Sequence, residues 1–242
     1  MTLLLAGSNA LNKWLKTDLP RLPTKEGQRV GVHNLESDVQ TFCWQLHIID
    51  NAYKSRHKTI IACEANSRFT VFIPVDTKLT LDELAARLQM QWQYSFAKTL
   101  QQLRAMPNSE IAMLLSELSE VNMVTHWVKN TDLSISGHIS DSALWVTQTL
   151  AEQGLNELTD DLRTDLSIHL NTQKKRVKNK TQKFMPIVNM MDYCQDILLA
   201  QDNDKKCDAN KLTNDAIIAQ QPDEVSLIEC NVINFCKYKQ NK

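Results

Sequence analysis

A short polar segment in the middle of the chain carries the residue types of a nucleophilic catalyst. Residues 130–141 read NTDLSISGHISD, which brings hydroxyl, imidazole and carboxylate side chains close together. Hydrolases and transferases combine these groups as nucleophile, base and orienting acid. The candidate catalytic residues are Ser136, His138 and Asp141. The segment lacks a Gly-x-Ser-x-Gly elbow and a glycine-rich phosphate loop, so a turn that caps the next helix explains the same residues.

The second chemical feature is a run of basic residues. Residues 174–183 read KKRVKNKTQK and hold six positive side chains. Such a run can neutralise several phosphates and bind nucleic acid in a salt-dependent way. The candidate nucleic-acid-binding residues are Lys174, Lys175, Arg176, Lys178 and Lys180. No aromatic residue interrupts the run, and charge blocks of this kind commonly form solvated connectors, which is the alternative interpretation.

A metal site is not indicated by the cysteines and histidines. Cys43 and His47 are four residues apart in a strand-like segment, so they share one face of a strand. A structural metal site needs further close pairs of ligands, and the six cysteines include no C-x-x-C pair. We therefore predict no metal and no cofactor, and we interpret Cys43 and Cys63 as buried thiols.

Composition limits the class of protein. The chain has 242 residues, a hydrophobic share of 43% and a net charge of −1, which argues against a globally basic nucleic-acid binder. No apolar run is long enough to cross a membrane, and the first residues lack the basic region of a signal peptide. We predict a cytoplasmic protein without membrane contact, with one domain in residues 1–200 and a C-terminal extension in residues 201–242.

The elements that must position these residues predict an α+β fold with a small antiparallel sheet. Residues 58–75 read as a β-hairpin, because two β-branched and aromatic runs flank a short polar turn. Pro74 lacks a backbone donor, so the second strand of the hairpin is expected to end there or to lie at an edge. Further strands are predicted at 41–49 and 122–129.

Amphipathic helices are expected to cover this sheet. Thr80 and Glu83 have the spacing of a capping box, and Leu84, Leu88 and Trp92 follow on one helical face. Other predicted helices lie at 108–118, 141–153, 159–171 and 186–199. All five tryptophans are interpreted as core anchors: Trp14, Trp44, Trp92, Trp127 and Trp145.

The order of several motifs resembles a family of bacterial proteins of unknown function. The matching segments are Leu3–Lys16, Trp44 followed by residues 55–58 and the hairpin, residues 134–141, residues 166–171 and residues 186–199. The chain departs from the family pattern at Ser55 and His57, where the family has arginines, and its connector at 174–183 is longer and more basic. The resemblance covers about residues 1–200, implies a shared fold and supplies no active site.

Three hypotheses for function follow from these observations. The first is a non-enzymatic regulatory or interaction module, with a protein or a nucleic acid as its partner. The second is nucleic-acid binding through residues 174–183. The third is a hydrolase or transferase whose site contains residues 130–141.

Overall fold

A five-stranded mixed sheet forms the centre of the fold in this computed structural model, which describes residues 1–22, 33–176 and 183–201. The strands are β1 (Thr2–Gly7), β2 (Thr41–Asp50), β3 (Lys58–Glu64), β4 (Thr70–Val75) and β5 (Val124–Lys129). Their order is β4-β3-β2-β1-β5. The predictions for Lys178, Lys180 and residues 202–242 lie outside the described residues.

The sheet confirms the α+β class and the hairpin but corrects the predicted strand directions. β2, β3 and β4 are antiparallel, and β4 is an edge strand, as its Pro74 requires. However, β1 runs parallel to both β2 and β5, so the prediction of an antiparallel sheet was wrong for this half. β1 itself was not predicted, because a central parallel strand is buried on both faces and its apolar residues do not alternate with polar ones.

Helices pack on both faces of the sheet. α1 (Asn9–Leu15), α2 (Leu81–Leu103), α3 (Asn108–Ser119) and a last helix, α6 (186–201), pack on one face. α4 (Leu133–Gln153) and α5 (Asp160–Thr172) pack on the other. Two hydrophobic clusters therefore lie on opposite sides of the sheet, and each excludes water from one sheet face.

The start of α2 is fixed by its predicted capping box. The Glu83 amide donates to Thr80 Oγ1 at 3.2 Å, and the Thr80 amide donates to Glu83 Oε2 at 2.8 Å. Leu84, Leu88 and Trp92 are buried against the sheet, and the Trp92 ring meets Phe42 edge to face at 5.6 Å. Each such side chain contributes about 1.5–3 kcal/mol of transfer free energy. The predicted packing of this helix on the hairpin sheet is confirmed.

The β3–β4 turn is held by a fully buried carboxylate. Glu64 accepts hydrogen bonds from the amides of Asn66 and Ser67, at 3.0 and 2.6 Å, and from the hydroxyls of Ser37 and Ser67. The chain then passes through Arg68 with φ of 59° before β4 begins. These hydrogen bonds explain how a turn without glycine is formed.

Of residues 130–141, only 130–132 are irregular and residues 133–141 are helical, so the prediction of a loop over the whole segment was wrong. α4 begins at Leu133, because Asp132 caps it by accepting hydrogen bonds from the amides of Ser134 and Ile135. Ile135 and Ile139 are buried one helical turn apart, and this apolar packing outweighs the turn-forming tendency of the neighbouring serines. The predicted helix at 141–153 is the second part of α4.

The outer edge of the sheet, at β4, is covered by α5. The Thr70 amide donates to Asn171 Oδ1 at 2.8 Å, and Asn171 Nδ2 donates to the Thr70 carbonyl at the same distance. Ser167 Oγ donates to the same carbonyl at 3.1 Å. Two α5 side chains thus take the place of a neighbouring strand, which leaves this part of the edge unavailable for pairing with another chain.

Candidate functional site: a basic cleft between α4 and α5

Residues of the catalytic hypothesis and residues of the nucleic-acid hypothesis meet in one cleft. The cleft has a volume of about 460 Å³ and lies between α4, the end of α5 and the segment after it. Its wall includes His138 and Asp141 from the catalytic hypothesis. It also includes the cations Lys174, Lys175 and Arg176 from the nucleic-acid hypothesis. We call this feature the basic cleft.

The basic cleft has an excess of positive charge. Among the described residues that line it, three are cationic and only Asp141 is anionic. The Lys175 amide donates to the Phe184 carbonyl at 2.7 Å, and the Phe184 amide donates to the Lys175 carbonyl at 3.0 Å. These two hydrogen bonds fix the backbone from which the Lys175 side chain extends. Burial lowers the pKa of Lys175, and the charge of Arg68 lowers it further, while Asp141 opposes the shift.

Arg68 adds a buried positive charge behind the cleft. Its side chain is 6% exposed, and its Nη2 donates to Ser134 Oγ at 2.8 Å. Its Nε and Nη1 are buried without a hydrogen-bond partner among the described residues. Burying unpaired guanidinium N–H groups is costly, and an anion in the neighbouring cleft would offset part of that cost through its charge. This role could not be predicted from sequence spacing, because Arg68 is distant in the chain from α4 and α5.

His138 is neutral at physiological pH. Burial lowers its pKa to about 4, and the charges of Lys175 and Arg68 act in the same direction. The imidazole can therefore donate and accept hydrogen bonds at pH 7 without carrying charge. A general acid or base works best when its pKa is near the working pH, which makes His138 poorly suited to either role.

Trp145 gives the basic cleft an exposed aromatic wall. Its side chain is 40% exposed, and its ring meets His169 edge to face at 4.6 Å. The core-anchor interpretation was therefore wrong for Trp145, whereas Trp44 and Trp92 are buried as predicted and Trp14 and Trp127 are partly buried. Residues 138, 141 and 145 are three and four positions apart, so they share one face of α4. A prediction of helix at 133–141 would therefore have placed Trp145 beside His138 and Asp141.

Ser136 does not join His138 and Asp141. Its Oγ accepts a hydrogen bond from Gln45 Nε2 at 3.0 Å and donates to the Asp132 carbonyl at 2.9 Å. It lines a different cavity, of about 320 Å³, together with Gln45 and His47. The three predicted catalytic residues are thus divided between two cavities, and the triad they were proposed to form is not assembled.

Cys43 and Cys63 are buried free thiols, and burial raises the pKa of Cys43 to about 12. Cys43 Sγ donates to the Glu36 carbonyl, whereas His47 Nδ1 is within 2.9 Å of Ser8 Oγ. In the part of the chain that the structure describes, no group of three or more histidine, cysteine or acidic side chains could hold a metal ion.

The comparisons with known proteins do not indicate a function for this chain. No family model, curated protein or solved structure gave a significant match. The resemblance to a bacterial family of unknown function stays a prediction. Among the described helices, none has the length and apolar character needed to span a bilayer.

Proposed function

We propose that the chain is a non-enzymatic binding module that holds single-stranded nucleic acid in the basic cleft. The observation that carries this proposal is the exposed Trp145 ring in a cleft lined by three cations. Proteins that bind single strands stack bases on aromatic side chains and hold the phosphates with lysine and arginine. The basic run alone lacked an aromatic residue, and α4 supplies one.

The concave shape of the basic cleft favours an unpaired strand over a duplex. In a duplex the base faces are stacked inside the helix, so a tryptophan in a cleft wall cannot reach them. A single strand can turn a base onto Trp145 while its phosphates lie near Lys174 and Arg176. His138, neutral and partly buried, can accept or donate a hydrogen bond at the base edge.

Binding is better supported than catalysis. The catalytic hypothesis needs a nucleophile beside a base, but Ser136 lines another cavity and His138 has a pKa of about 4. The regulatory or interaction module expected from the sequence is compatible with a nucleic-acid ligand. A cytoplasmic location and an additional protein partner remain predictions.

The test measures binding of a fluorescently labelled oligothymidine by anisotropy, with the full chain at low salt. Trp145→Ala should weaken binding by about 5-fold to 150-fold, because stacking of one base contributes about 1–3 kcal/mol. Trp145→Phe should restore part of the affinity. Tyr53→Ala is the matched control, since Tyr53 is 89% exposed and lies outside the basic cleft.

The electrostatic part of the proposal has its own test. Alanine at Lys174, Lys175, Arg176, Lys178 and Lys180 should abolish retention of the chain on a polyanion column, because this variant loses the three cations of the basic cleft and two further positive charges of the basic run. Lys98→Ala, at an exposed position on α2, should elute like the wild-type chain. Unchanged elution of the five-site variant, or equal oligothymidine affinity of Trp145→Ala and the wild type, would contradict the proposal.

A further inference from the structure

A third cavity, larger than the two described above, lies where the parallel strands β1 and β5 end. It has a volume of about 860 Å³ and is lined by residues of α1, by the segment after α1 and by residues 129–131. Gly7 at the end of β1 pairs with Lys129 at the end of β5, so the two carboxyl ends meet at the same level. We call this cavity the strand-end cavity.

The position of the strand-end cavity is one where sheets commonly bind ligands. From β1 the chain passes through α1 to β2 on one side of β1, whereas β5 pairs on the other side. β1 leads into α1 on one face of the sheet and β5 leads into α4 on the other face, so the chain leaves the two neighbouring strand ends in opposite directions and a crevice opens beyond them. The volume also lies in the range of small-molecule sites, which is about 300–1,000 Å³.

The charges of the strand-end cavity favour an anion. Its described lining residues include the cations Lys13, Lys16, Arg21 and Lys129, and the acid Asp18. None of these cations forms an ion pair among the described residues.

A fifth cation approaches this group from outside the cavity. Lys78 lies against Lys16, and its pKa is lowered by the loss of hydration and by the neighbouring charge of Lys16. Two ammonium groups side by side repel each other, and an anion between them would relieve that repulsion.

Two polar atoms of the wall residues are buried without a hydrogen-bond partner among the described residues. Asn12 is 4% exposed, and its Nδ2 donates to the Gly7 carbonyl at 3.3 Å, while its Oδ1 has no partner among the described residues. Thr17 Oγ1 is also buried and has no hydrogen-bond partner among the described residues. Asn9 and Thr131 complete a polar lining, and no aromatic residue is among the described residues of the wall.

We propose that the strand-end cavity binds a small hydroxyl-bearing phosphate monoester, of the sugar phosphate class. Lysines hold phosphate as point charges, and Arg21 can hold it through two parallel hydrogen bonds. The amide and hydroxyl groups of the wall suit the hydroxyls of a sugar. The wall's lack of an aromatic residue among its described members distinguishes this ligand from the nucleic acid proposed for the basic cleft. The two proposals rest on different residues.

The test uses isothermal titration calorimetry of the full chain with glucose 6-phosphate, and with glucose and inorganic phosphate as comparison ligands. Glucose 6-phosphate should bind saturably, inorganic phosphate should bind more weakly, and glucose should not bind. Lys129→Gln and Lys13→Gln should each weaken binding of glucose 6-phosphate at least about tenfold, because each removes a charged hydrogen-bond donor. Lys98→Gln on α2 is the matched control and should bind like the wild type.

Two further variants and one measurement keep the test decisive. Lys13 is exposed on α1, so Lys13→Gln tests the site even if Lys129→Gln fails to fold, and thermal unfolding midpoints verify folding of both. Lys175→Ala and Trp145→Ala should leave glucose 6-phosphate binding unchanged. Absence of saturable binding, wild-type affinity of Lys13→Gln, or loss of binding in Lys175→Ala would each overturn the proposal.

Discussion

Arg68, Lys175 and His138 lie at or behind the basic cleft, and each is wholly or partly buried. Arg68 buries a guanidinium whose Nε and Nη1 have no hydrogen-bond partner among the described residues. Burial lowers the pKa of Lys175, and His138 avoids the cost of charge by being neutral, with a pKa of about 4. An anion in the cleft would compensate the two cations, which is the residue-level reason for expecting a polyanionic ligand.

The lowered pKa of His138 predicts an acid sensitivity of the fold. In the unfolded chain a histidine binds its proton near pH 6.5, whereas folded His138 does so only near pH 4. Between these values the unfolded state holds more protons, so the free energy of unfolding should fall as the pH is lowered through this range. His138→Gln removes this contribution and should give a flatter profile in urea denaturation between about pH 7 and pH 4.

The control for this prediction is another histidine. His126 is exposed on β5, so His126→Gln should keep the wild-type slope. Burial also lowers the pKa of His47, so this residue makes the free energy of unfolding fall with decreasing pH in the wild type and in both variants alike. Identical slopes for the wild type and His138→Gln would show that His138 is not held neutral in the fold.

Elements with local signals could be predicted from the sequence, and elements decided by tertiary packing could not. The capping box of α2 and the left-handed Gly154 after α4, with φ of 64°, depend on neighbouring residues only. β1 pairs with strands far along the chain and is covered on both faces, so its short apolar run had no distinctive period. The first turns of α4 read as a loop because serine, aspartate and glycine are frequent in turns.

The candidate site likewise combines residues that could be identified from the sequence with an arrangement that depends on tertiary packing. His138, Asp141 and the cations at 174–176 were identifiable as chemical groups, but their meeting depends on how α5 returns along α4. Trp145 was assigned to the core because a tryptophan in an amphipathic helix usually packs inside. Trp145 meets α5 through the edge-to-face contact with His169, and the rest of its ring lines the open cleft, so the side chain stays 40% exposed.

The cover over the β4 edge gives a prediction at the level of elements. Asn171→Ala removes both hydrogen bonds to Thr70, whose backbone groups are buried, and only Ser167 continues to donate to the carbonyl. Leaving a buried amide unpaired costs about 1–3 kcal/mol, so the free energy of unfolding should fall by that amount in urea denaturation. The uncovered edge should also increase aggregation, measured by light scattering.

Asn156→Ala is the control for the edge variant, because Asn156 is exposed in the segment between α4 and α5. Its stability should stay within about 0.5 kcal/mol of the wild type. If Asn171→Ala were as stable as Asn156→Ala, the two hydrogen bonds to Thr70 would not hold α5 on the sheet edge.

The whole molecule is nearly neutral, with 27 lysines and arginines against 28 aspartates and glutamates, so attraction to a polyanion must be local. Each phosphate contact with a single strand releases counterions and adds about −0.7 to the slope of log K against log salt concentration. Three cations of the basic cleft therefore predict a slope of roughly −2 for oligothymidine binding, measured by anisotropy over a series of salt concentrations. Lys174→Ala should make the slope shallower by about 0.7, while Lys98→Ala should not change it. A salt-independent affinity would mean that phosphate contacts do not drive binding, and an equal change in both variants would mean that the attraction is not located in the basic cleft.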